Sequence, residues 1–296
     1  MPSTRLPREG LILLLSLALG WGLNWSAIKI VLTELPPLSF RGFCLIVGGV
    51  GVLGVARLTG QSIAVPRGYA VKFLWLVVFN MVGWNIFATY GVKLLPSGRA
   101  ALLGYTMPLW CVPLSVWLLG EALDLRRLIA LALGLGGVAV LLAQSLGSLA
   151  QAPWGLVCMI IAAWCWALGI VLLKRWKIPM NTVALTGWMM VWGGIPVMAG
   201  ALAVDGLPHA GLSLWPAIGL AYSLFVGFMY CYWAWNRLVL LVPVSVSSLS
   251  SLLTPLVGIA AGALLLGEQP GWHEGVAALL ILGSVAVVST GARKRF

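Results

Sequence analysis

Apolar segments long enough to cross a lipid bilayer take up nearly the whole chain, and no other feature restricts its fold so far. Ten can be drawn, at roughly 10–32, 38–58, 69–92, 97–119, 127–144, 153–173, 181–203, 214–236, 244–266 and 272–290. A spanning helix needs about 20 mostly apolar residues. Within lipid each backbone N–H and C=O must be paired inside its own segment or in a closed barrel, and segments of this length are helices. Punctuation agrees: Pro36-Pro37, Pro66, Pro96, Pro153, Pro179, Pro216, Pro243 and Pro270 fall near segment edges, where helices start or stop. Composition excludes a water-soluble core, because only 8% of the residues are charged against roughly 25% in soluble domains. The expected fold class is an all-α integral membrane protein of ten transmembrane helices.

The chain also repeats itself. Pro96, Pro108 and Gly120-Glu121 recur 147 residues later as Pro243, Pro255 and Gly267-Glu268, while Gly10, Trp21 and Lys29 recur 145 residues later as Gly155, Trp166 and Lys174. The expected organisation is a first five-helix repeat over 1–147 and a second over 148–296. A repeat with an odd number of spans must insert upside down in its second copy. Basic residues set the direction. With the N-terminus in the cytoplasm, 14 of the 18 Lys and Arg fall on the inner side, and only Lys29, Arg41, Lys93 and Arg99 fall on the outer side. Both termini are therefore expected in the cytoplasm, with Glu121 and Glu268 on opposite faces. Inverted repeats of this kind place a pseudo-two-fold axis in the membrane plane and serve alternating access to a central site.

Several function classes drop out. The +11 charge sits in short clusters between apolar stretches, the pattern of membrane topology and not of nucleic-acid binding. Cys44, Cys111, Cys158, Cys165 and Cys231 all lie in apolar stretches without metal-ligand spacing, and His209 and His273 fall in loops, so no metal or other cofactor is expected. There is no phosphate-cradling G-x-x-x-x-G-K-[ST] run, no cleavable signal peptide is evident, and no set of nucleophile and base shares one membrane depth. An enzyme is not expected. All seven acids lie in loops or at helix ends. A carboxylate proton relay at mid-membrane is accordingly not expected.

Trp21-Gly22, Asn24 and Lys29, then Arg41, then Pro108 through Gly120-Glu121, with the second-half echoes Trp166, Lys174 and Pro255 through Gly267-Glu268, resemble the ten-helix EamA-type permeases of the drug/metabolite transporter superfamily. The likeness covers nearly the whole chain and is nearest to bacterial inner-membrane exporters of aromatic and other neutral amino acids. It implies a basket of helices around a central cavity and export of small metabolites. The related four-helix multidrug pumps carry an acid in their first span; here Trp21, Asn24 and Trp25 stand in that helix instead, and proton coupling does not carry over.

Helical spacing selects the cavity candidates. Asn80, Trp84 and Phe87 share a face of the third span; Ala101, Tyr105 and Pro108 align in the fourth; Tyr222, Val226, Tyr230 and Trp233 in the eighth; Ser247, Ser251 and Thr254 in the ninth. Asn24 and Trp166 join them. The substrate-binding set is Asn24, Asn80, Trp84, Tyr105, Trp166, Tyr230, Ser247, Ser251 and Thr254, with aromatic walls for an apolar side chain and amide and hydroxyl groups for a zwitterionic head. Pro108 and Pro255 are the expected hinges, Lys29 and Lys174 the expected gates at opposite mouths. The partners are a small molecule and the lipid bilayer, and a monomer is compatible with the pattern. Two alternatives stay open: a permease for another amphipathic metabolite or a cationic drug, and a membrane scaffold or receptor that transports nothing.

Overall fold

A computed structural model describes residues 8–94, 103–143, 152–206, 211–266 and 271–290, and every regular element among them is helical. Pro96, Arg99, Ala101, His209, Gly267 and Glu268 lie outside the described residues. In chain order the elements are α1 (Arg8–Val31), α2 (Pro37–Leu58), α3 (Ala70–Leu76), π1 (Val77–Gly83), α4 (Trp84–Leu94), α5 (Met107–Leu119), α6 (Leu125–Ala143), α7 (Pro153–Trp176), α8 (Thr182–Val204), α9 (Leu214–Tyr222), π2 (Ser223–Tyr230), α10 (Cys231–Leu241), α11 (Val244–Ser250), α12 (Leu253–Leu266) and α13 (Trp272–Thr290). Among the described residues six helices are long and apolar enough to span a bilayer: Arg8–Val31, Pro37–Leu58, Ala70–Gly91, Pro153–Trp176, Thr182–Val204 and Leu214–Leu241. Met107–Leu119, Val246–Ala261 and Gly275–Ser284 are shorter apolar helices.

Local chemistry explains the ends. Pro37 and Pro153 open α2 and α7, where a missing N–H leaves nothing unpaired. Asn181 caps α8, its side-chain oxygen accepting from the Val183 amide at 2.8 Å. Gly120 closes α5 at φ 67°, a left-handed position that costs a residue with a Cβ. Its amide and that of Glu121 reach back to the Val116 and Ser115 carbonyls at 3.1 and 3.3 Å. The Gly120-Glu121 pair thus ends a helix with its glycine and leaves the carboxylate at the tip.

Two long rods carry a π-helical stretch in their middle, π1 in the third span and π2 in the eighth, and the two stretches occupy corresponding points of the repeat. Two other rods are broken. Residues 105–106 form a turn before α5, and residues 251–252 form a turn before α12. Pro108 and Pro255 stand in the first turn of the helix that follows each break. The residues expected to bend continuous helices instead begin new ones.

The helices pack across the middle of the chain. α2 lies along α8, α6 along α13, α1 against α9, π2, α10 and α12, and α7 against π1, α4 and α5. The α2–α8 seam is tightest. A Cβ on Gly42 would sit 2.9 Å from the Met198 Cα, and one on Gly49 would sit 2.8 Å from the Val191 amide nitrogen. On the facing helix, a Cβ on Gly187 would lie 3.1 Å from the Gly49 carbonyl oxygen and one on Gly194 would lie 3.0 Å from the Ile46 amide nitrogen. Small residues let backbones approach this closely, and in lipid such packing replaces the hydrophobic drive. At the α1–α2 end, Ser39 donates to Asp205 from its amide and hydroxyl, both at 3.2 Å, and Ser213 donates to Glu34 from the same two groups. The two bonds from Ser213 hold the Glu34 carboxyl below its ordinary pKa.

Candidate functional site

Where α1, α2, α4, α7, π2 and α10 converge, they enclose a cavity of about 110 Å³ together with the breaks before α5 and α12. Trp166 of α7 is its hub. Around it stand Trp84 at 5.0 Å between ring centroids, Tyr232 at 5.7 Å, Trp21 at 6.1 Å and Trp235 at 6.2 Å, all tilted or edge-on. Such geometries are the favoured ones for aromatic pairs. Trp21 and Trp166 occupy corresponding positions of the two halves and here touch each other. Trp21 is oriented by a hydrogen bond from its Nε1 to the Gly227 carbonyl at 3.0 Å. Gly227 lies in π2, where the i→i+5 pattern displaces carbonyls from the regular helix ladder.

Among the described residues one charged side chain lines the cavity, Arg41, in the first turns of α2. Its Nη1 donates to Asn85 Oδ1 at 3.1 Å. Asn85 is fully buried, and its own Nδ2 donates to the Met81 carbonyl at 2.8 Å, which fixes the oxygen toward Arg41. Ile28 and Arg41 are only a turn from the ends of their helices, whereas Trp21 is ten residues from the end of α1. By helical rise the site therefore spans about 5 to 15 Å from the α1–α2 end.

Of the nine residues selected for binding, Asn24, Trp84, Tyr105, Trp166, Ser251 and Thr254 line this cavity. Asn80, Tyr230 and Ser247 do not. Asn80 is pressed onto Gly169 of α7, where an added Cβ would lie 2.7 Å from the Asn80 Cβ. Tyr230 donates from its hydroxyl to Ser16 Oγ at 2.7 Å, and Ser247 bonds back to the Val244 carbonyl at 3.1 Å. The lining of span eight is Gly227, Phe228, Tyr232 and Trp235, not the stripe through Tyr222, Val226, Tyr230 and Trp233. A π turn advances the helix face by about a residue beyond α-helical spacing, so a 3.6-residue stripe drawn across π2 ends on the wrong side. Arg41 was legible as an outer-side cation near the end of an apolar span, but the helical stripes did not select it for the cavity.

Asn24 and Asn80 share an environment. Asn24 of α1 lies against Gly227 of π2 as Asn80 of π1 lies against Gly169 of α7, the same crossing with asparagine and glycine exchanged. Asn24 Oδ1 and both amide atoms of Asn80 have no hydrogen-bond partner. Each such buried group costs about 1–3 kcal/mol.

At the end opposite the α1–α2 turn, polar contacts tie helix ends together, those of Lys174 within the second half and those of Glu121 and Arg175 between the halves. Lys174 Nζ donates to the Val239 carbonyl at 2.9 Å and to that of Val242, capping the C-terminus of α10. Glu121 Oε1 accepts from the Val244 amide at 2.8 Å, and Arg175 donates to the Leu118 carbonyl. Lys29, the repeat mate of Lys174, is exposed in the last turn of α1. Hydrogen bonds to charged groups contribute about 1.5–3 kcal/mol. The double substitution Glu121→Gln with Lys174→Met is therefore expected to raise the maleimide labelling rate of Cys111, wholly buried in α5 and bonded to Ser248 of α11, by roughly tenfold or more. The measurement uses a variant in which the other four cysteines are replaced; an unchanged rate would show that these contacts do not hold the end shut. Among the described residues no cluster of His, Cys, Asp or Glu has the makings of a metal site.

The EamA-like transporter family model matches the chain twice, over residues 8–143 and 153–290. A Salmonella typhimurium protein named "Probable amino-acid metabolite efflux pump" is 27% identical over 97% of this chain and 97% of its own length. A Bacillus subtilis protein named "Uncharacterized transporter YoaV" is 23% identical over 93% and 92%. A solved crystal structure superposes with a TM-score of 0.84 over 96% of this chain and 99% of that one at 19% identity, a likeness of fold alone.

Proposed function

The chain belongs to the EamA-like transporter family, a family of membrane transporters and not of enzymes, and we propose that within it this protein exports small metabolites, aromatic and other neutral amino acids first, by alternating access between two inverted five-helix halves. Membership sets aside the scaffold reading and assigns a small-molecule substrate and a lipid environment. The observation that carries the finer proposal is the aromatic cavity around Trp166, walled by residues of both halves. An aromatic side chain satisfies such walls through offset and edge contacts, each contributing about 0.5–1.5 kcal/mol beyond burial. The amino-acid efflux relative supports the same substrate class.

Inversion is supported by the packing. Exchanging the first half for the second turns α1 against π2 into α7 against π1, and α1 against α12 into α7 against α5; α2–α8 and α6–α13 map onto themselves. Alternating access is supported by the closed latch at Lys174 and Glu121. Its counterpart in the other state would involve Lys29 and Glu268. On the orientation set by the basic residues, both termini are cytoplasmic, the latch faces the cytoplasm, and the cavity lies toward the outer side. A bacterial inner membrane is the location consistent with the relatives.

Counterflow in proteoliposomes tests this. Vesicles holding unlabelled phenylalanine or tryptophan are expected to accumulate the labelled amino acid only when the protein is present. Absence of substrate-dependent flux across a panel of aromatic and neutral amino acids, with and without a pH gradient, would overturn the amino-acid assignment.

A further inference from the structure

We propose that Arg41 recognises an anionic headgroup, so that the cavity takes aromatic monocarboxylates whether or not they carry an amino group and refuses aromatic amines that lack a carboxylate. The inference rests on the cavity's being the substrate site. Among the described residues Arg41 is the one charged side chain of the lining, and no described acid lines the cavity with it. Its hydrogen bond goes to the neutral amide oxygen of Asn85. The ion pairs found among the described residues, Arg127 with Glu121 and Arg237 with Glu9, involve other residues. A guanidinium carries five N–H donors, and a cation enclosed at membrane depth is costly until a countercharge arrives. The planar fork matches a carboxylate through two parallel bonds.

The backbone adds charge of the same sign. α5 and α12, of 13 and 14 residues, both begin at the cavity: Gly104, Tyr105 and Met107 line it beside the first, Ser251 and Thr254 beside the second. Helix N-termini carry positive partial charge, and broken spans in transporters aim those ends at anionic groups. Two helix starts and an arginine thus converge on one small volume. No described lining residue supplies a negative charge for an ammonium, so an amino acid is read by its carboxylate and its ring. The amino group is tolerated without being read.

Thermal stabilisation of the purified protein by a concentration series of each of four probes tests the proposal, since a ligand of the folded state at free concentration L stabilises it by RT ln(1 + L/Kd), which yields each affinity. The probes are phenylalanine, 3-phenylpropionate, phenylalaninamide and 2-phenylethylamine. Phenylalanine and 3-phenylpropionate are expected to stabilise the wild type, the amide and the amine to do so at least about tenfold more weakly. Arg41→Gln is expected to weaken both carboxylates by roughly thirtyfold or more, as removal of one partner of a buried charge pair does, and Arg41→Lys to weaken them less. The amine binding as tightly as phenylalanine in the wild type would overturn the proposal, and that comparison needs no variant. Equal binding of 3-phenylpropionate to wild type and Arg41→Gln would also overturn it. If the charge series is flat while aromatic probes still outbind leucine, the Arg41 assignment alone falls. If no aromatic probe stabilises the protein, the cavity reading falls and this inference with it.

Discussion

Trp166→Ala is expected to reduce aromatic amino-acid flux to background, while Trp166→Phe keeps flux within a few-fold of wild type. The side chain is 6% exposed and touches aromatic rings from α1, α4 and α10. Truncating a buried tryptophan to alanine costs about 3–5 kcal/mol through lost transfer energy and the void left behind. Here the loss falls twice, on the fold and on the wall against which a substrate ring would rest. Phenylalanine refills much of the void and restores an aromatic edge, which separates the two losses. Flux in proteoliposomes and the unfolding midpoint in detergent read them independently. A Trp166→Ala protein that folds and transports at the wild-type rate would show that the cavity is not on the substrate path.

How far this arrangement was legible in the sequence depends on which regularity it obeys. The helical class followed from segment length alone, because the bilayer admits few backbone solutions. Trp166, Tyr105, Ser251, Thr254 and Asn24 reached the cavity because each lies where the helix before it keeps its ordinary phase, or where a break resets it; Trp84 lines it directly after π1. Tyr230 missed, and Tyr232 and Trp235 were passed over, because π2 shifts the face of the eighth span by a residue or two. Nothing in SLFVGFMY marks a π turn, and the packing of Asn24 against Gly227 within it joins two spans distant in sequence. Asn80 missed for the matching reason in π1. Arg41 was visible on the outer side, but no role was assigned to it, since a cation near a helix end has two fates, snorkelling outward or turning into a cavity. Asn85, buried and fixed to Met81, decides between them through a contact between spans that no local pattern encodes.

The seam between α2 and α8 carries the second large expected effect. Gly49→Leu is expected to leave little protein that survives purification in mild detergent, while Gly54→Leu on the same helix behaves as wild type. A first Cβ at position 49 already lies 2.8 Å from the Val191 nitrogen and 2.9 Å from the Gly187 carbonyl oxygen, both backbone atoms that cannot turn aside as a side-chain tip can. Gly54 has nothing within 4 Å of the same construction. Overpacking by single methylenes costs about 1–3 kcal/mol, and leucine adds several. Size-exclusion profiles and unfolding midpoints of the two variants compare them directly, and equal behaviour would mean the seam yields easily. The glycines of this seam also obey the repeat. Gly42 and Gly49 recur 145 residues later as Gly187 and Gly194, and each stands where the partner helix comes nearest. Under the proposed inversion the α2–α8 pair maps onto itself, so its packing is the same whichever end of the carrier is open. The contacts that must break and re-form, those of Lys174 and Glu121 at one end, are hydrogen bonds and ion-dipole contacts of modest strength. The seam has no such freedom, because two backbones in direct contact cannot slide without raising a ridge into a groove built for glycine. Under the proposed alternating access a carrier needs one interface that holds while the others exchange, and the seam's backbone contacts suit it to that part.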